Sequence, residues 1–97
     1  MKDIFRTYHP AGFHSVNAYL FVSDPEQLID FLKKAFWANE LNRSTSPDGR
    51  IGNCIMRIGD SCFMISQARG KFEGMRTSFY LYVSNVDEVY ENALSHG

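Results

Sequence analysis

Residues 17–38 read NAYLFVSDPEQLIDFLKKAFWA, and this stretch decides the fold because it joins a short strand to a capped helix. Alternating side chains predict a strand over residues 16–22, with both of its faces largely apolar. Asp24 can accept hydrogen bonds from the first-turn amides, and Pro25 suits the first helical position. Gln27, three positions after Asp24, completes a pattern similar to a capping box. The stretch therefore predicts a strand that leads directly into a helix.

The predicted helix has one apolar face. Lys33 and Lys34 fall near its C-terminal end, where the helix dipole favours cations. Its apolar side chains recur at intervals of three and four residues, the spacing typical of a core-facing helix: Leu28, Ile29, Leu32, Ala35 and Phe36.

The same pattern returns sixty-one residues later. YLFVSD at residues 19–24 is matched by YLYVSN at residues 80–85, which predicts a second strand over residues 77–83. Asn85 and Glu88 repeat the capping pattern. A second amphipathic helix is predicted from five apolar residues, Val86, Val89, Tyr90, Ala93 and Leu94. A repeat at a fixed spacing indicates a fold built from copies of one unit.

Three more strands are predicted between the two copies. Residues 40–46 give a weak strand pattern, and residues 51–58 and 61–66 give stronger ones. SPDGR at residues 46–50 has the composition of a turn. The pair Gly59-Asp60 is typical of a two-residue hairpin turn.

That hairpin turn fixes a register. It places Cys54 opposite Ile65, Met56 opposite Phe63 and Ile58 opposite Ser61, on one face of the sheet. Cys62 then lies on the other face, so a disulfide with Cys54 would need a register slip.

One unit is thus strand, helix, strand, strand, strand over residues 16–66. A connection follows at residues 67–76, and the second unit starts at residues 77–97. We expect one domain, residues 1–97, whose second unit lacks its last three strands. Either the chain is a piece of a longer protein, which we favour, or another subunit's strands complete the sheet.

These elements, in this order, resemble the vicinal oxygen chelate superfamily, which includes glyoxalase I, bleomycin- and fosfomycin-resistance proteins and extradiol dioxygenases. The similar stretches are IDFLKKAFWA, SPDGRIGNCIMRIGDSCFMI and SFYLYVSNVDEVYENAL. PDGRIG followed by MRIGDSCFMI is most similar to the PhnB-like subgroup. The resemblance covers residues 16–97. It departs at Trp37, where the family usually has glycine, and at Leu32, where an aromatic residue is common.

The resemblance implies an α+β fold of paired βαβββ modules. Their cupped, mixed, mostly antiparallel sheet would carry helices on its convex side and the active cavity on its concave face. In metal-dependent members the ligand positions match Asn17, Ser66 and Ser78 here, and Asn53 stands where the PhnB-like pattern usually has histidine. Because neutral amide and hydroxyl oxygens bind transition metals weakly, we expect no cofactor and disfavour a divalent metal.

The predicted concave face combines apolar side chains with a few polar ones, a composition typical of small-molecule sites. Among them, Arg57 could hold an anionic group. The same aromatic residues also fit a closed core or a dimer interface. The predicted ligand-binding residues are Asn17, Tyr19, Phe21, Asn53, Ile55, Arg57, Met64, Ser66, Ser78, Tyr80 and Tyr82. No catalytic residue is predicted, and we interpret Cys62 as a buried, inert thiol.

Composition excludes some function classes. Apolar residues make up 44% and charged residues 22%, with a net charge of -1, so no basic surface for nucleic acid is expected. The longest apolar runs, residues 18–22 and 79–83, fall far short of the about 20 residues of a membrane span. Without a leader pattern, and with two separated thiols, the chain is expected to be soluble and cytoplasmic. His9 and His14 lack ligand-like spacing.

We therefore expect a metal-free, glyoxalase/bleomycin-resistance-like protein that binds a small, partly aromatic or anionic molecule and forms a homodimer. One alternative is a metal-dependent lyase or dioxygenase of the same superfamily, with ligands beyond Gly97. Another is a non-catalytic dimerising scaffold. Whether the protein is an enzyme stays open.

Overall fold

A computed structural model describes residues 10–97 of the chain, so His9 lies outside the described residues. In chain order the elements are β1 (Tyr19–Val22), α1 (Pro25–Phe36), β2 (Asn39–Thr45), β3 (Ile51–Ile58), β4 (Ser61–Gln67), a short 3₁₀ turn (Gly70–Phe72) and α2 (Val86–His96). Within the described part, no helix is long and apolar enough to cross a membrane.

The four strands form one mixed sheet in the order β1-β4-β3-β2. β1 runs parallel to β4, with Tyr19 beside Met64, while β3 is antiparallel to both β4 and β2. The predicted hairpin register is confirmed at all three positions, Cys54 with Ile65, Met56 with Phe63 and Ile58 with Ser61. The α+β class and one βαβββ module are therefore confirmed.

α1 covers one face of this sheet, and its predicted cap is present. The Asp24 carboxylate accepts a hydrogen bond from the Gln27 backbone amide at 3.1 Å, and Pro25 occupies the first turn. The buried side of the helix carries Ile29 and Leu32, as the periodicity predicts. These pack against the buried strand residues Leu20, Ile51, Cys54, Met56, Phe63 and Ile65.

Trp37 ends α1 in the left-handed conformation, with φ 56° and ψ 35°. This is the position at which the family resemblance expects glycine. Among the described residues Trp37 is the only non-glycine residue with positive φ. The Ala38 amide donates to the Leu32 carbonyl at 3.2 Å, which closes the end of the helix. The sequence thus places a bulky side chain where the backbone favours glycine.

The other face of the sheet is covered at one end by the segment before β1. Phe13 is buried there against Ile55 and Cys62, with Leu41 and Met64 beside it. The Cys62 amide donates to the Gly12 carbonyl at 2.8 Å. Both thiols are free and buried, on opposite faces as predicted.

The first strand is shorter than predicted. The pattern places its start at residue 16, but β1 begins at Tyr19. The Asn17 side chain accepts from the His14 amide at 2.7 Å and donates to the His14 carbonyl at 2.6 Å. These local bonds bend the backbone before the sheet begins.

The second predicted strand, residues 77–83, does not form. A strand needs hydrogen-bonding partners on a neighbouring chain segment, and the described residues place none beside it. Tyr80 is 83% exposed and Tyr82 is 92% exposed. The similarity to β1 is therefore not matched by a similar structure.

The second predicted helix does form. The Asn85 side chain accepts from the Glu88 amide at 3.1 Å, as the capping pattern predicts. α2 packs on α1, where the Asn92 amide donates to the carbonyls of Lys34 and Ala35, each at 2.9 Å. Much of its apolar face stays exposed at Val86, Tyr90 and Leu94.

Candidate functional site

A small hydrogen-bonded group lies on the sheet face opposite α1. The hydroxyl oxygens of Tyr19 and Ser66 are 2.7 Å apart, and the Asn53 amide donates to the Tyr19 hydroxyl at 3.1 Å. The same amide nitrogen is 3.4 Å from the sulfur of Met64. Because side chains two positions apart share a face, β1, β3 and β4 deliver these groups to one place.

An aromatic stack forms one side of this group. Tyr19 and Phe21 lie two residues apart on β1, and their rings stack with centroids 4.6 Å apart. Phe72, carried by the 3₁₀ turn, stacks on Phe21 with centroids 4.5 Å apart. The connection after β4 thus folds back over the end of β1.

Tyr19, Phe21 and Phe72 line a cavity of about 420 Å³, which lies at the end of the sheet away from Phe13. That volume is within the range of small-molecule pockets. The cavity is lined by Tyr19, Phe21, Ser46, Ile51, Gly52, Ser66, Gln67, Arg69, Gly70 and Phe72. The site is therefore mostly apolar with few polar groups.

An ion pair borders the cavity. The Arg69 guanidinium lies 3.0 Å from the Asp48 carboxylate, joining the β2–β3 turn to the segment after β4. A hydrogen bond from the Arg50 backbone amide, followed by the bond from Arg69, lowers the pKa of Asp48. The carboxylate is thus ionised at neutral pH and neutralises the charge of Arg69.

Five predicted ligand-binding residues come together at this site: Tyr19, Phe21, Asn53, Met64 and Ser66. The others lie elsewhere. Ile55 is buried beside Phe13, and the Arg57 side chain donates to the Gly59 carbonyl at 2.8 Å. Asn17 closes the turn before β1. Ser78, Tyr80 and Tyr82 are on the exposed segment before α2.

The repeat therefore does not bring Tyr19 and Tyr80 to one cavity within the described residues. Phe72, Arg69 and Asp48 line or border the cavity, and the sequence analysis missed them. Phe72 and Arg69 lie in the connection at residues 67–76, which has no periodicity to indicate an orientation. Of these three residues, only Asp48 lies in a stretch with a sequence signal, the predicted turn at residues 46–50.

A second recess, of about 570 Å³, lies against residues 79–83 and the start of β4. There Phe79 contacts Phe63, with ring centroids 5.8 Å apart. Exposed side chains of the segment before α2 form one of its walls. We favour the first cavity as the functional site because Tyr19 and Ser66 are held there by hydrogen bonds.

The predicted metal-ligand positions do not fit a metal. Both polar atoms of the Asn17 amide bond to the backbone of His14, and Ser78 lies on a different segment from Ser66. Residues 10–97 contain no group of three His, Cys, Asp or Glu that could hold an ion. Neutral amide and hydroxyl oxygens that are already hydrogen-bonded are poor ligands for zinc, nickel or iron.

Neither cysteine has the properties of a nucleophile. Burial raises the pKa of the Cys54 thiol to about 11. Burial also raises the pKa of Cys62, against the opposing effect of Arg57. Since the thiolate is the reactive form, the raised pKa makes both thiols less reactive than an exposed cysteine.

Three solved structures have a fold similar to that of this chain. TioX from Micromonospora sp. ML1 matches with a TM-score of 0.62 and 20% identity, over 87% of this chain and 71% of that chain. The fosfomycin resistance protein FosX from Mesorhizobium loti matches with a TM-score of 0.62 and 21% identity, over 87% of this chain and 70% of that chain. FosX from Listeria monocytogenes, complexed with Mn(II) and sulfate, matches with a TM-score of 0.62 and 20% identity. The match covers 84% of this chain and 70% of that chain. At 20–21% identity these matches show that this chain shares their fold.

The sequence relatives are mycobacterial. An uncharacterized protein of Mycobacterium bovis, Mb0911c, is 30% identical over 94 residues, which is 86% of this chain and 62% of the relative. Rv0887c of Mycobacterium tuberculosis, also uncharacterized, is 30% identical over 94 residues, 86% of this chain and 55% of the relative. The chain thus spans 62% and 55% of the lengths of these two relatives. No family model matches the chain.

Proposed function

We propose that this protein is a glyoxalase/bleomycin-resistance-like protein, of the PhnB-like kind, that binds a small molecule on the concave sheet face without a metal. The observation that supports this most is the cavity beside the Tyr19–Phe21–Phe72 stack. It offers exposed ring surface next to the Tyr19 and Ser66 hydroxyls. Apolar walls with a few fixed polar groups are the usual form of a small-molecule site.

The fold neighbours support the same kind of function. Two of them are named as fosfomycin resistance proteins. At about 20% identity they share the fold with this chain, and the fold hosts several chemistries. Ligand binding here is therefore proposed from the cavity itself.

The first prediction concerns the aromatic stack. Replacing Phe72 with Ala removes one ring and should weaken binding of an aromatic ligand about tenfold, in line with the contribution of aromatic contacts. Phe79→Ala is the matched control, since it removes a ring at the other recess and should leave the affinity unchanged. Ligands come from a thermal-shift screen of small aromatic compounds, and affinities from NMR titration in EDTA. Equal losses in both variants would contradict the assigned cavity.

A metal-dependent lyase or dioxygenase is the second candidate. It is favoured by the Listeria FosX structure, which was determined with Mn(II). In this chain such a metal would need ligands other than Asn17, Ser66 and Ser78. Metal analysis of the purified protein separates the two candidates. Stoichiometric zinc, manganese, nickel or iron supports the metal-dependent one, whereas ligand binding that persists in EDTA supports the metal-free one.

We also propose that the protein is a cytoplasmic homodimer. The two free, buried thiols are typical of a reducing compartment. Exposed apolar side chains at Tyr82, Val86, Tyr90 and Leu94 support association. Light scattering across a concentration series tests the dimer. A dimer that binds no compound in the screen would favour the non-catalytic scaffold.

A further inference from the structure

We propose that the cavity selects a neutral, planar aromatic molecule that carries a hydrogen-bond donor, and that it discriminates against an aromatic anion of the same size. This rests on the proposed function, since it names the class of molecule that the same site would bind. It depends on the direction of a chain of hydrogen bonds and on the pairing of the nearby cations.

The direction begins at the Gly52 carbonyl, which can only accept. The Ser66 hydroxyl lies 2.6 Å from that oxygen and must therefore donate its single proton to it. At its 2.7 Å contact with Tyr19, Ser66 can then only accept. The phenol proton of Tyr19 is thus committed to Ser66.

Asn53 fixes the other side of the phenol. Its amide nitrogen donates to the Tyr19 oxygen at 3.1 Å and also faces the Met64 sulfur at 3.4 Å. Bonds therefore run in one direction, from Asn53 to Tyr19 to Ser66 to the Gly52 carbonyl. Neither the Tyr19 nor the Ser66 hydroxyl has a proton left for a ligand.

At these two hydroxyls the cavity consequently presents only lone pairs to a ligand. A ligand O–H or N–H can donate to the remaining lone pair of Tyr19, since Ser66 is buried. A carboxylate placed there would meet acceptor oxygens, and its desolvation would go uncompensated. The Tyr19–Ser66 pair therefore favours a ligand that carries a donor.

The basic side chains do not reverse this preference, since the Nζ atom of Lys71 is engaged over the Phe72 ring, 5.7 Å from its centroid. Arg69 lines the cavity, but Asp48 neutralises it, with contacts of 3.0 and 3.2 Å from its Nη2 atom to the two carboxylate oxygens. Arg57, which the sequence suggested for an anion, is turned to the Gly59 carbonyl. An anion would have to compete with Asp48 for Arg69.

The aromatic stack accounts for the preference for a planar ligand. Tyr19 is 42% exposed and Phe72 is 39% exposed, so both rings have surface available to a ligand. Both are uncharged rings, on which a neutral planar ligand can stack without losing the hydration of a charge.

Three probes with the same ring system test the proposal by titration of the full chain at pH 7. 2-Naphthol has a donor, 2-methoxynaphthalene has none, and 2-naphthoate is an anion. We expect 2-naphthol to bind about tenfold more tightly than either of the others, the size of one hydrogen bond to a positioned group. Equal affinities of 2-naphthol and either other probe would overturn the proposal while leaving the proposed function in place. Absence of binding by all three would overturn both.

Two variants test whether Tyr19 and Asp48 determine which ligand the cavity prefers. Tyr19→Phe keeps the ring but removes the acceptor oxygen. The affinity for 2-naphthol should therefore fall about tenfold, while the affinity for 2-methoxynaphthalene stays unchanged. Asp48→Asn removes the ion-pair partner of Arg69, so the affinity for 2-naphthoate should rise several-fold. Asp60→Asn, the same charge change at the β3–β4 turn, should not alter 2-naphthoate binding. A gain in Asp60→Asn equal to that in Asp48→Asn would show a general charge effect and contradict the assigned pairing.

Discussion

Trp37 has the least favourable backbone conformation among the described non-glycine residues. Its φ of 56° places it in the left-handed region, which costs about 1–2 kcal/mol for a residue with a Cβ atom. Its side chain is 56% exposed, so little burial compensates for that cost.

We therefore expect Trp37→Gly to stabilise the protein by up to about 1 kcal/mol, after the extra flexibility of glycine in the unfolded chain is subtracted. Urea unfolding measures this. Asn39→Gly, an exposed position at the start of β2 where φ is not positive, should destabilise instead. A stability loss in both variants would mean that the Trp37 ring contributes more than its backbone costs.

Cys54 gives the stability a dependence on alkaline pH. Burial raises its pKa from 9.0 to about 11, so the folded protein holds the proton more tightly than the unfolded chain does. That contribution is complete below pH 9 and is lost as the pH rises towards 11, on the order of 2 kcal/mol.

The check is urea unfolding at pH 8 and pH 10.5. Cys54→Val removes the thiol and should lose less stability between the two pH values than the parent chain loses. The two proteins differ only at position 54, so every other group contributes equally to both. An identical loss in both would exclude Cys54 as the group responsible.

Single residues also mark what the sequence could and could not predict. The pairing of Cys54 with Ile65 was predictable because the two-residue turn at Gly59 leaves one register for the strands on either side. The position of Phe72 was not, since it depends on how a segment without periodicity folds back over β1. Asn17 was misplaced because a short amide side chain can bond to its own neighbourhood instead of facing a cavity.

At the scale of elements, α2 is held on the molecule mainly through α1. Asn92 donates to the last-turn carbonyls of Lys34 and Ala35, which would otherwise lack partners within the helix. Since no residue of α2 is fully buried, this contact is a large part of its attachment.

Asn92→Ala should therefore loosen α2 without unfolding the sheet. We expect amide exchange in α2 to speed up about tenfold, as expected for about 1–2 kcal/mol of lost hydrogen bonding, while β3 and β4 keep their protection. Glu91→Ala, an exposed neighbour on the same helix, is the control and should leave the exchange rates in place. Uniform loss of protection across the sheet would mean that α2 is instead required for the whole fold.

Elements also differ in how well sequence determines them. α1 and α2 were both predicted, because helix caps and periodicity are local. β1 and residues 80–83 have almost the same sequence, yet only β1 is a strand, since β4 lies beside it. Strand formation depends on a neighbour, and no short stretch of sequence encodes its neighbour.

For the molecule as a whole, the sheet face opposite α1 has two parts. Phe13 covers Cys62 and Ile55 at one end, while Ser66 and Phe21 border the cavity at the other. Along β4, Cys62 and Ser66 are four residues apart, about 13 Å of extended chain.

A rigid ligand in the proposed cavity that extends along β4 by more than this distance would meet Phe13. Phe13→Leu, which shortens this side chain but keeps the site apolar, should raise the affinity for the elongated 4-phenylphenol relative to 2-naphthol by several-fold. Ligand titration of both proteins measures this, and an unchanged ratio would place the limit elsewhere. A raised ratio would mean that the segment before the first strand sets how far a ligand in the proposed cavity can extend along the sheet.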